Sequence, residues 1–132
     1  MKTIQLFYIL TATFFMFNCS TNEELVSDDV WHLVTIDGGL SPATNYSKGE
    51  ITWFFNTQAK TITIKNSVSA FVNSPEPFTS SQSGVYNYTI EKRNDIDYLI
   101  VGSREGAMKF TAQGLEIDYG IAHDDVRYTF IK

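Results

Sequence analysis

The sequence predicts an all-β protein, an eight-stranded antiparallel up-and-down barrel, with a two-sheet β-sandwich as the alternative. Three observations carry this. From residue 30 onward no stretch keeps a 3.6-residue apolar period, whereas apolar and polar residues alternate with period two in segment after segment. Those segments are rich in β-branched and aromatic residues, which suit a pleated, half-buried surface. Short turn sequences separate most of them, so sequence neighbours pair as hairpins. Closing eight such strands removes the sheet edges that would otherwise recruit other chains.

The first segment is Val30 to Ile36, with Trp31 near its start and His32 facing outward or toward the rim. The second, Glu50 to Asn56, sets Ile51, Trp53 and Phe55 on one face. The third, Lys60 to Asn66, turns Ile62 and Ile64 inward and Thr61, Thr63 and Lys65 outward. The fourth, Val85 to Lys92, aligns Tyr86, Tyr88 and Ile90. The fifth, Asp97 to Gly102, is apolar on both faces through Tyr98-Leu99-Ile100-Val101, so its inward face is open. The sixth is Ala107 to Thr111. The seventh, Leu115 to Tyr119, alternates Leu115, Ile117 and Tyr119 with Glu116 and Asp118. The eighth, Val126 to Ile131, alternates Val126, Tyr128 and Phe130 with Arg127 and Thr129.

Asn56-Thr57-Gln58-Ala59, Arg93-Asn94-Asp95, Arg104-Glu105-Gly106 and Gln113-Gly114 read as tight turns, and Asp95 and Asp97 as turn residues. Three connections are longer: Asp37 to Gly49, Ser67 to Gly84, and Gly120 to Asp125. In an up-and-down barrel they share one end, opposite both termini, and make that end the mouth. The Ser67 to Gly84 connection is polar but carries Phe71, Val72 and Phe78, which either pack on the rim or face a partner.

Before the barrel, Lys2 precedes 14 uncharged residues, Ile4 to Phe17, too few for a membrane-spanning helix and placed as a secretory signal is. Cys19 follows directly and is the chain's single cysteine, which excludes an internal disulfide framework. Met16-Phe17-Asn18-Cys19 resembles a bacterial lipoprotein signal. The resemblance implies a signal peptide over 1–18, a diacylated Cys19, and a lipid anchor in the outer membrane of a Gram-negative envelope. Residues 19–29 then form an acidic tether, with Glu23, Glu24, Asp28 and Asp29 and no cation. This polar, acidic stretch resembles the tag that places some lipoproteins on the cell surface. Ten extended residues allow about 30 Å of stand-off.

Residues 30–132 resemble the lipocalin-like barrels of bacterial lipoproteins through Trp31, the aromatic alternation at Tyr86 and Tyr88, and the closing Val126-Arg127-Tyr128-Thr129-Phe130. In that shape an arginine near the last strand stacks on the first-strand Trp. Arg127 is the candidate for that role. It alternates outward and starts its strand at the mouth, so no contact with Trp31 is expected.

The resemblance implies a small apolar or amphipathic ligand, for which Trp53, Phe71, Phe78, Tyr86, Tyr88 and Tyr119 are the candidate contacts. An eight-stranded barrel holds its own side chains or one small ligand. The alternative is a surface module whose rim contacts another envelope protein, a glycan or a host molecule. From Val30 onward nine cations meet eleven carboxylates, which disfavours nucleic acid. His123-Asp124-Asp125 with Asp118 reads as a solvated turn rather than a metal site. No serine sits in a nucleophile context and no glycine loop opens a helix, so neither an enzyme nor a cofactor is expected.

Replacing Cys19 with Ala should abolish metabolic acyl labelling. Labelling that survives the substitution would refute the anchor.

Overall fold

The computed structural model describes residues 30–40, 42–68 and 83–132. The expected signal, Cys19, the acidic tether, Phe71 and Phe78 lie outside the described residues. Ten strands follow in order: β1 (Val30–Gly38), β2 (Thr44–Asn45), β3 (Ile51–Asn56), β4 (Thr61–Asn66), β5 (Gly84–Asn87), β6 (Thr89–Arg93), β7 (Ile96–Val101), β8 (Arg104–Phe110), β9 (Leu115–Asp118) and β10 (Val126–Ile131). All pairings are antiparallel, and the order around the sheet is β5-β4-β3-β1-β10-β9-β8-β7-β6, with β2 laid on β1. The two ends of that order, β5 and β6, are consecutive in the chain. The sheet is therefore a nearly closed up-and-down barrel.

The expected fourth strand is where the sheet comes round on itself. It is broken at Tyr88 because its two halves serve different neighbours: Gly84–Asn87 pairs with β4, and Thr89–Arg93 pairs with β7. Tyr88 donates its N–H to the Lys60 carbonyl at 3.0 Å, and its ring meets Phe55 edge-on at 5.4 Å. One long strand, shared half and half, thus links the two ends of the sheet order.

The facing follows the alternation. Ile51, Trp53 and Phe55 are buried, as are Ile62 and Ile64, Leu115 and Ile117, and Tyr128 and Phe130. β7 takes the parity that buries Asp97, Leu99 and Val101. Asp97 is a correction to its reading as a turn residue. The turn before it is two residues long, Asn94 and Asp95, both at positive φ, the pattern of a type I′ hairpin. That leaves Asp97 second in its strand and facing in.

β1 does not alternate strictly because a bulge separates Leu33 from Thr35 in its pairing with β10. Before it Trp31 and Leu33 point inward. After it Ile36, opposite the inward Tyr128, packs against the core, and Asp37 lies outside opposite Arg127.

Two further expectations are corrected. Arg104-Glu105-Gly106 is strand, not turn. The turn is Gly102-Ser103, with Gly102 at φ 59°. Gly106 is buried inside the barrel, where an added Cβ would meet Ile117 Cγ2 at 2.5 Å and the Tyr119 ring at 2.9 Å. It is a glycine because two side chains occupy its space. The Asp37 to Gly49 connection is also shorter than expected, because Thr44 and Asn45 return along β1 opposite Ile36 and Thr35. Tyr46 then donates to the Val34 carbonyl exposed by the bulge, at 2.9 Å. Gly39, Leu40 and residues 42–43 are the described part of the mouth loop on this side.

The pairings place Val30 and Lys132 at one end, with the turns after β3, β6 and β8; the Gly102-Ser103 turn is at the other. The connections after β1, β4 and β9 lie at the other. Ile64 is 1 % exposed, so Ile64→Asp buries an unpaired carboxylate and should cost several kcal/mol. Thr63→Asp, on the outer face, should cost well under 1 kcal/mol. Urea denaturation of both variants checks the facing, and equal losses would refute it.

Candidate functional site

Four of the six residues nominated for ligand contact are described, and three of them belong to one run of ring contacts through the barrel. Tyr88 meets Phe55 at 5.4 Å, Phe55 meets Trp53 at 6.3 Å, Trp53 meets Tyr128 at 6.1 Å, and Tyr128 meets Tyr119 at 5.1 Å. Phe130 lies against Trp53 at 4.8 Å. Tilted and edge-on geometries predominate, as the ring quadrupoles favour. Trp53 and Phe55 have no exposed surface. These rings pack on one another. Tyr86, on β5, is half-buried and packs against this core, with its ring beside Gly84.

Two grooves lined by described residues are on the outside of the wall. One, about 450 Å³, lies over β8, β9 and β10 between Asp95, Lys109, Glu116 and Arg127. The other, about 340 Å³, lies over β1, β3 and β4.

The mouth is built by charge pairs. Arg127 forks onto Asp37 across β10 and β1, with Nε to Oδ1 at 3.1 Å and Nη2 to Oδ2 at 2.6 Å. Arg104 forks onto Asp125 at 3.1 and 3.2 Å, tying the start of β8 to the end of the β9–β10 connection. The Arg104 guanidinium also lies 4.7 Å over the Tyr119 ring. Burial pushes the Tyr119 hydroxyl well above the ordinary tyrosine range. Tyr128 adds to the shift and Arg104 opposes it.

Asp118 accepts from the N–H groups of Gly120 and Ile121, each at 2.8 Å, and so shapes the turn that carries His123. Asp118 and Asp125 are thus engaged as turn-maker and ion-pair partner. Gly38, at φ 107°, admits the Asp125 carbonyl where a Cβ would lie 2.5 Å from it. Gly39 donates its N–H to the same oxygen at 3.0 Å. Directly after this glycine pair, Leu40 stands 96 % exposed at the mouth.

At the opposite end a cation does cover Trp31. It is Lys132, with Nζ 5.1 Å from the ring centroid, and Arg127 makes no part of it. Lys132 follows the last alternating segment, so periodicity assigns it no face and no partner. On the outer wall His32 sits near Lys48, and burial, then Lys48, lower its pKa. Leu40, the Arg104–Asp125 fork and the Lys48–Lys132 contact were not foreseen. The Gly38-Gly39 pair before Leu40 was the one signal available.

Comparison with family models, curated proteins and solved structures finds no match to this chain.

Arg104→Met should cost about 1 kcal/mol, since the fork is partly exposed and worth less than a buried pair. Amide exchange over residues 120–125 should quicken with it. Arg104→Lys should restore only part of the protection, because an ammonium cannot fork onto a carboxylate. Unchanged exchange in both variants would refute the role of the fork.

Proposed function

We propose that this chain is an outer-membrane lipoprotein anchored through an acylated Cys19, and that its barrel is a non-enzymatic interaction module. Its mouth is turned away from the membrane toward another envelope protein, a glycan or a host molecule. The observation that carries this reading is the interior. Trp53 is sealed among Phe55, Tyr128 and Phe130, so recognition falls to the rim and the outer wall. The rim suits the role. Two forked ion pairs hold it, and it presents Leu40, an apolar side chain with almost no cover. Residues 67 and 83, which bracket the longest connection, are tied to its base. Asn66 N–H donates to Ser83 Oγ at 2.9 Å, and Ser67 N–H to the Glu50 carbonyl at 2.9 Å.

A small apolar or amphipathic ligand is the second reading. It is favoured by the Trp31 indole N–H, which is buried without a hydrogen-bond partner among the described residues. Such a donor accounts for itself if a ligand brings an acceptor. Trp53, Tyr86, Tyr88 and Tyr119 would then have to part to admit it.

Native mass spectrometry of the purified protein separates the two. The module reading expects the bare protein mass, whereas a stoichiometric small-molecule adduct would reverse the order. A photo-reactive amino acid at Leu40, in intact cells, should form adducts with a partner. The same group at Gln113, in the turn at the opposite end, should form none. Adducts at Gln113 alone would refute the orientation.

A further inference from the structure

The outer face of β1, β3, β4 and β5 is unlike the rest of the wall. Strand register aligns Val30, Phe54, Thr63 and Val85 in one cross-strand row. Val30 is 44 % exposed and Val85 66 % exposed, and Phe54 lines the 340 Å³ groove between them with Thr52 and Lys65. Alternation explains this. Trp53 and Phe55 must face in, so an aromatic between them has to face out. Three large apolar side chains in a row broken only by Thr63, on an outer wall, mark a surface that meets something other than water.

Charge separates in the same direction. Lys65 is outward on β4, Lys60 is in the β3–β4 turn and Lys48 is in the turn before β3. Lys48 Nζ reaches the Lys132 carbonyl at 2.7 Å and so lies over His32 on this wall. Glu50 is the one carboxylate among the described residues of this flank, since Asp37 lies at the mouth end and is held by Arg127. Residues 89–131, the remaining wall, carry seven carboxylates besides the inward Asp97, against five cations. The barrel is therefore positive and apolar on one flank and negative on the other.

We infer that this flank, from Val30 to Val85 with Lys48, Lys60 and Lys65 around it, seats on the anionic headgroups of the membrane. The inference rests on the anchor at Cys19 proposed above. The flank starts at Val30, eleven residues beyond Cys19, so it is the part of the wall that the tether delivers first to the bilayer. Lysines meet lipid phosphates at the surface, and Val30, Phe54 and Val85 enter the headgroup layer between them. The barrel then leans on this flank with its acidic wall outward and its axis tilted, and the mouth stays the end farther from the anchor.

The test is quenching by nitroxide-labelled lipid. The full chain, with a fluorescent amino acid at Val85 or, for comparison, at Glu116 on the far wall, is reconstituted into vesicles about one-third phosphatidylglycerol. The Val85 probe should be quenched at least about threefold more than the Glu116 probe. The difference should vanish in about 1 M salt, where charges are screened beyond about 3 Å. It should fall to the same level in Lys60→Glu/Lys65→Glu, whose denaturation midpoint should match the parent's. Equal quenching of the two probes, or quenching indifferent to salt and to charge reversal, overturns the inference, whether residues 20–29, a second copy or another protein covers the flank. The mass of the peptide containing Cys19 reports the anchor separately. Acylated Cys19 with an unquenched Val85 probe removes the flank and keeps the anchor. Unmodified Cys19 with a quenched Val85 probe does the reverse.

Discussion

The partner exchange at Tyr88 is the constraint from which the barrel follows. A strand that pairs with β4 for its first half and β7 for its second converts the two ends of a sheet into neighbours. Without it, β4 and β7 would each present a row of unpaired N–H and C=O groups. The exchange is held from two sides: the Tyr88 N–H on Lys60 and the Tyr88 ring on Phe55. Phe55 packs on Trp53, so closure and core are one structure. The curvature needed to reach the closing point is helped by the bulge at Val34 in β1 and by Gly106 in β8.

Much of this was legible where one face is apolar and the other polar. The alternation at Ile51 to Phe55, Ile62 to Ile64, Leu115 to Ile117 and Tyr128 to Phe130 gives the facing of these four strands. Legibility failed wherever a residue serves geometry rather than hydropathy. A glycine in β8 resembles a turn residue unless it is known that Ile117 and Tyr119 lie over it. A bulge inverts the parity of β1, and a two-residue strand such as β2 is too short for any period. Asp97 is polar but inward because a two-residue turn sets its parity. At the mouth, forks such as Arg104–Asp125 join residues 21 apart, and Arg127–Asp37 residues 90 apart, separations that spacing does not encode.

A core of interlocking rings also bears on how such a barrel can diversify. Inward positions are mutually dependent, because Trp53 touches Phe55, Tyr128 and Phe130 at once. Outward positions are each bounded by two cross-strand neighbours and water. Changes in recognition are thus cheap on the wall and rim and expensive inside. The segregation of lysines on one flank and carboxylates on the other is a property of outward positions alone. It leaves the core untouched.

The position of β1 in the sheet has a mechanical consequence. β1 lies between β3 and β10, bonded on both sides, and it enters the barrel at the end opposite the mouth. A pull between Val30 and a partner held at the mouth runs along the strands. Antiparallel N–H···O=C bonds lie across the strands, so this load falls on all of them together in shear rather than opening them one at a time. The first strand is gripped on both flanks and can peel from neither. Tension would have to break β1 from β3 and β10 in a single event.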